Sequence, residues 1–239
     1  MKKSMSLKRK LLSGIIVALL GLMLSSCFVS AAPSFNVSAA RMKRDIRGRS
    51  VNITINGVNQ MFIAEPSEIK KFIIKSRKLS NHGQKVTVTT YALFNRDIAI
   101  VKTKATLVYE YKDKKWKCTK VTIGNSSLNS VNLKGTWKGT YYSSGREVGC
   151  TLEIKNISLD GFANGIFSFY ATPSNPQFKS GSYKITGGCS LQSGQASFLY
   201  DGWIDKPQYF SPLDFNKCYL DLSRKRIKGN YSLSIERVD

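Results

Sequence analysis

The chain predicts a mainly β protein: a small α+β curved-sheet domain followed by an antiparallel β-barrel or sandwich, after an N-terminal signal peptide. Three observations carry this. Residues 11–24 form a fourteen-residue apolar run behind a basic start. Residues 85–94 and 99–112 are β-branched and alternate polar with apolar, the period of a half-buried strand. From residue 133 onward, short β-branched and aromatic runs recur between Gly and Pro turns, the pattern of a barrel or sandwich.

The start of the chain sets its address. Lys2, Lys3, Lys8, Arg9 and Lys10 stand before the apolar run with no acid among them. The run falls short of the ~20 residues a membrane span needs. A basic start, a short apolar stretch and small residues at its end mark a secretory signal over 1–26. Leu24-Ser25-Ser26-Cys27 then resembles the lipobox of bacterial lipoproteins. That resemblance implies a diacylglyceryl thioether on Cys27 and cleavage just before it. Two or three acyl chains hold a protein stably, at about 0.8 kcal/mol per buried CH₂. The expected location is the extracytoplasmic face of a cell membrane, lipid-anchored through Cys27. The alternative is ordinary secretion with cleavage after Ala32.

Charge is unevenly placed. The chain carries 37 Lys and Arg against 15 Asp and Glu. Residues 28–132 hold 19 basic side chains against 6 acids, and residues 133–239 hold 13 against 9. The first half is thus drawn to polyanions. At this address the candidate partners are anionic envelope polymers or headgroups, and no nucleic acid is expected. The alternative is a lysine-rich solvated surface. Beyond Cys27 the cysteines are Cys118, Cys150, Cys189 and Cys218. Four cysteines in an exported chain allow three pairings. Cys150 and Cys189 share one half and are the candidate pair, with free buried thiols as the alternative. No C-x-x-C occurs and the chain has one histidine, so no metal site and no cofactor are expected.

Residues 27–45 read as a tether, small and polar at first and then entering the basic run RMKRDIRGR over 41–49, where a short helix would face anionic headgroups. Residues 46–123 form the first domain. The stretch 69–79 suits a strand or a helix. A strand is chosen because Asn81-His82-Gly83 follows as a turn before the alternating run at 85–94. In 99–112, Val101, Thr103, Ala105, Leu107, Tyr109 and Tyr111 share one face. Lys112-Asp113-Lys114 makes a turn, and 115–123 closes the sheet. The segment ending Tyr111-Lys112-Asp113-Lys114-Lys115-Trp116-Lys117 resembles cystatin- or NTF2-like domains found outside the membrane in Firmicutes proteins. The likeness implies a curved sheet and no general activity.

Residues 124–132, GNSSLNSVN, read as an inter-domain linker. Residues 133–239 form the second domain, with seven strands expected at 135–142, 148–157, 165–171, 181–186, 195–204, 213–222 and 227–238. The expected inward sets are Trp137 and Tyr141; Cys150, Leu152 and Ile154; Phe167 and Phe169; Tyr231, Leu233 and Ile235. GTWKGTYYSSGREVGCTLEI, FSFYATPSNPQFKSGSYKITG and DGWIDKPQYF, in that order, resemble a widespread uncharacterised bacterial β-barrel-like domain. It occurs with varied partners and has no assigned catalytic residues, which implies a module.

Catalysis has little to work with. His82 sits in an expected turn, and no G-x-S-x-G elbow exists. Asp201 and Asp205 flank Trp203, which could stack on a sugar ring. Trp203, Tyr209 and Phe210 form a candidate aromatic ligand patch, with barrel-end plugs as the alternative. The expected role is a non-catalytic binding or scaffolding lipoprotein of the cell envelope. The alternatives are a hydrolase or hydrolase inhibitor acting on wall glycan, or a carrier of a small apolar ligand.

Overall fold

The computed structural model describes residues 34–158 and 161–238. The expected signal peptide over 1–26, Cys27 and the expected tether before Ser34 lie outside the described residues. From Ser34 on, the expected tether is packed against the fold. The Phe35 ring meets Trp116 edge-on at 5.1 Å, and Val37 is buried. Ser38 then caps helix α1 (Ala39–Ile46), its hydroxyl accepting from the Arg41 N–H at 3.3 Å. Met42 and Ile46 are buried against the sheet, and Arg41 donates to the Trp116 carbonyl. Asp45 accepts from the Tyr109 hydroxyl at 2.9 Å. The basic helix is therefore docked on its own domain through its apolar side.

A hairpin follows that the sequence expectations omit. Strands β1 (Ser50–Ile55) and β2 (Val58–Ile63) are joined by Asn56-Gly57, with φ of 49° and 76°. Two successive positive φ values match the right-handed twist of the strands they connect. Next come β3 (Ile69–Ser80), β4 (Lys85–Asn95), β5 (Ala99–Lys112) and β6 (Lys115–Val131), an antiparallel four-stranded sheet in chain order. Strand wins over helix at 69–79, and Val101, Thr103, Ala105, Leu107 and Tyr109 are buried as expected. The expected linker is not one. Residues 124–131 continue β6, with Ser126 opposite Thr103 and Val131 opposite Ala99. Their polar composition reflects a partly exposed strand. The Ser126 hydroxyl bonds that of Thr103 at 3.0 Å.

The second half is a closed barrel of eight strands: β7 (Gly135–Ser143), β8 (Arg146–Ile157), β9 (Phe162–Tyr170), β10 (Gly181–Cys189), β11 (Gln195–Asp205), β12 (Phe215–Asp221), β13 (Arg226–Lys228) and β14 (Ser234–Arg237). Each strand pairs antiparallel with its neighbours in sequence, and β14 returns to β7. Seven strands could not close this way, because an odd count would set first and last parallel. The expected strand at 227–238 is in fact two. The Gly229 N–H bonds the Leu233 carbonyl at 3.0 Å, and Tyr231 and Ser232 take φ of 55° and 52°. This turn carries Tyr231 outward, 46% exposed, so it leaves the expected inward set.

The barrel is filled. Trp137, Tyr141, Phe167, Tyr183, Phe198 and Phe215 are buried inside it, with Phe167 and Phe215 ring centres 4.9 Å apart. A partly open crevice at the barrel mouth, between Tyr141, Phe169, Tyr183 and Phe210, measures about 40 Å³. The packed aromatic side chains of the interior speak against the apolar-ligand carrier alternative.

The two halves are joined by specific polar contacts. The Gln60 amide donates to the Leu220 carbonyl at 2.6 Å and accepts from the Leu222 N–H at 2.8 Å, as a strand residue would. Buried Arg96 pairs with Glu68 and donates to the Leu222 carbonyl at 3.2 Å. Lys225 meets Asp97 at 2.5 Å, and the Asn56 N–H meets the Ser193 carbonyl at 2.5 Å.

Barrel closure depends on Gly139, where a Cβ would collide with the Ser234 carbonyl oxygen. Gly139→Ala should cost about 1–3 kcal/mol, the usual range for overpacking. Phe167→Ala should cost about 3–5 kcal/mol. Urea midpoints at constant m report both.

Candidate functional site

The first surface is the open face of the four-stranded sheet. Register places on it Lys71 and Lys78 of β3, Lys85 of β4, Lys102, Lys104 and Lys112 of β5, and Lys115, Lys117 and Lys120 of β6. Lys75, in a bulge of β3, joins them with its ammonium 5.5 Å from the Tyr91 ring centre. Lys102 approaches the same ring at 4.5 Å. Alternation explains the segregation, because residues at i and i+2 share a face while the intervening apolar residues fill the core. Glu110 is the acid on the strands of that face, and Asp113 in the β5–β6 turn pairs with Lys117. Lys112 at 2.7 Å and Lys85 at 3.9 Å neutralise Glu110. The Lys112 hydrogen bond holds its carboxyl below the usual range. Register sets Lys71 and Lys102 on either side of Leu93, and Lys85 and Lys117 on either side of Glu110, two strand spacings or ~9.6 Å apart, while Lys102 and Lys104 stand one i,i+2 step apart. Ten of the 19 basic side chains of residues 28–132 thus share one face.

The second surface follows from the barrel topology. Turns of an up-and-down barrel alternate between its ends. The turns over 190–194 and 222–225 meet the first half. Those over 144–145, 171–180, 206–214 and 229–233 therefore lie at the far end. There an open cleft of about 580 Å³ is lined by Ser143, Arg146, Asn175, Phe178, Lys179, Tyr209 and Phe210 among others.

The predicted aromatic patch divides at this end. Phe210 stacks on Phe169 at 5.6 Å and 9°, and meets Phe178 edge-on at 5.1 Å. Trp203 is half-buried on the other side of Phe169, 5.4 Å from Tyr183. These two are barrel-end plugs. Tyr209 alone stands in solvent, 93% exposed. Sequence reasoning missed Arg146, Asn175, Phe178 and Lys179. The one signal for them was the ten-residue connection at 171–180, long for a barrel turn.

The other candidates do not converge. Asp201 and Asp205 are both exposed, and Asp201 lines a groove on the outer wall with Lys155 and Lys184, while Trp203 opposes Tyr183 in the ladder and packs on its ring. His82 is exposed in its turn with φ of 51°. Among the described residues no group of three metal-ligating side chains occurs, and no helix is long and apolar enough to cross a membrane. Cys118, Cys150, Cys189 and Cys218 are all free, so the expected Cys150–Cys189 bridge is absent. Register shows why. Cys150 opposes Phe169, which opposes Gly181, whereas Cys189 lies eight residues further along β10. At ~3.3 Å per residue that separation far exceeds disulfide reach.

Compared with known proteins, the chain matches no family model, no curated protein and no solved structure.

Burial pushes the Cys150, Cys189 and Cys218 thiols up to about 12. The folded state therefore favours their neutral form. Stability should hold below pH 9 and fall as pH rises from about 9 toward 12, by up to about 1.4 kcal/mol per thiol per unit. At pH 8 a thiol reagent should leave these three unmodified in the native protein. It should label them in guanidinium without added reductant.

Proposed function

We propose that the protein is a lipid-anchored, extracytoplasmic binding module of the cell envelope, without catalysis of its own. The open lysine face of the four-stranded sheet is the observation that carries this reading. Ten lysines against two carboxylates, Glu110 and Asp113, make a field that attracts polyanions over several ångströms. The Thr side chains between them, Thr87, Thr89 and Thr106, offer hydroxyls at the same level. A phosphate-bearing envelope polymer or an array of anionic headgroups supplies the complementary charge. The Lys-rich start, the short apolar run and Leu24-Ser25-Ser26-Cys27 support the anchor and the address. The first-half likeness to cystatin- or NTF2-like extracytoplasmic domains agrees with a module that binds and does not cleave.

Two measurements test the reading. Cys27→Ala should shift the protein from the membrane fraction to the soluble fraction, and continued membrane retention would remove the lipid anchor. Poly(glycerol phosphate) should bind the protein at 50 mM salt and let go at several hundred millimolar, where the Debye length shortens to a few ångströms. Reversing Lys75, Lys102 and Lys120 together to Glu should weaken that binding by about a hundredfold, at roughly 1 kcal/mol per basic residue. Equal capture by the triple variant would sink the sheet face as the site.

A further inference from the structure

We propose that the cleft at the far end of the barrel binds a saccharide that carries an acidic group. The inference stands apart from the lysine face, because the two surfaces share no residue. Its volume of about 580 Å³ suits a short oligosaccharide.

Three features point to this chemistry. The first is Tyr209. It is the third residue of the turn over 207–210, closed by the Phe210 N–H on the Pro207 carbonyl at 3.3 Å. Its φ is 64°, a left-handed conformation that favours glycine. A bulky ring held on disfavoured backbone and left 93% exposed contributes nothing to packing. Strain of this kind gathers at ligand sites. A flat, exposed phenol ring suits the C–H face of a sugar and can hydrogen-bond through its hydroxyl.

The second feature is Asn175. The residue is only 5% exposed, yet it lines the cleft. Its backbone is satisfied, the N–H by the Thr172 carbonyl at 2.9 Å and the carbonyl by the Phe178 N–H at 3.2 Å. Its side-chain amide makes no hydrogen bond among the described residues and is not among the fully buried polar atoms, so it meets the solvent of the cleft. A ligand entering there can take over the hydrogen bonds that water makes to it. One donor and one acceptor side by side match neighbouring sugar hydroxyls.

The third feature is charge. Arg146 and Lys179 line the cleft, no carboxylate does, and neither cation has an acidic partner among the described residues. A guanidinium takes a carboxylate or a phosphate through paired N–H bonds. The ligand is therefore acidic as well as polyhydroxylated. Phe178, edge-on to Phe210, forms the apolar floor.

Calorimetry on the full-length protein tests this with four probes. Tetragalacturonic acid presents carboxylates, mannose 6-phosphate presents a phosphate, cellotetraose is neutral, and uridine monophosphate offers a base instead of a second sugar. At least one of the two acidic saccharides should bind at roughly millimolar strength or better, and whichever does identifies the acidic group. Tyr209→Gly should weaken that binding about tenfold or more. Its melting temperature should hold or rise, because glycine accepts the left-handed backbone. Arg146→Ala should remove the preference for acidic over neutral saccharide. The triple Lys→Glu variant of the sheet should bind the saccharide as the parent does. The proposal is overturned if neither acidic saccharide binds, if cellotetraose binds equally well, if uridine monophosphate alone binds, or if Tyr209→Gly and Arg146→Ala leave affinity intact. Loss of saccharide binding in the sheet variant would likewise overturn it, by moving the ligand to the other surface.

Discussion

The ladder that brings β14 back to β7 runs over Gly139, whose missing side chain lets the Ser234 carbonyl approach. That contact turns an eight-strand meander into a barrel with no free edge. Closure then decides where the turns go. Because successive strands run in opposite directions, consecutive turns must alternate between ends. Ser193 and Leu222 fall at one end and meet the first half. Arg146, Asn175, Lys179 and Tyr209 fall at the other, drawn from three different turns into one cleft. The cleft is a product of closure and exists nowhere in the linear chain.

The junction at the near end is polar yet largely sealed. The Arg96 guanidinium sits 4.6 Å from the Phe62 ring centre, paired with Glu68 and bonded to the Leu222 carbonyl. Arg96 Nε and Glu68 Oε2 remain without partners there. Desolvation therefore consumes part of the attraction, as is usual for a buried ion pair. What the pair supplies is registry. A hydrophobic seam would tolerate sliding, whereas Gln60 bonded to residues on both sides of Asp221 fixes the hairpin against β12 at one position. The chain itself adds to this, because β6 is hydrogen-bonded to its last residue before β7 begins.

Much of this fold was legible from residue alternation, and the omissions have physical causes. Residues 99–112 alternate cleanly because one face is core and the other solvent. Residues 124–131 mislead because Ser and Asn are common in loops, yet on a strand beside Thr103 their hydroxyls find partners. The β1–β2 hairpin is signalled by Asn56-Gly57, but its strands are short and β2 carries Met61 and Ile63 on its outer face, which blurs the alternation. The split between β13 and β14 hides inside an unbroken apolar rhythm, and Gly229-Asn230 was its only mark. The barrel count carries the missing information, because antiparallel closure demands an even number. Of the aromatic patch, Trp203 and Phe210 take the barrel-end plug alternative that the sequence reading also offered. Tyr209 differs from them only in backbone geometry, which composition does not encode. The cysteines show the same limit, since nearness in sequence class says nothing of register.

The absence of a pivot between β6 and β7 has a consequence for affinity. Two sites joined by a flexible tether share an effective concentration that the tether length sets, and a wide range of ligands profits. Here the proposed lysine face and far-end cleft are joined through residues 132–134, where Leu133 is buried and the Asn132 N–H bonds the Ile98 carbonyl. A polymer long enough to touch both gains from the second contact only if its own spacing and stiffness match theirs. A mismatched polymer gains nothing, however strongly each end binds. Were one polymer to fill both proposed surfaces, avidity would act as a caliper set to the spacing between them.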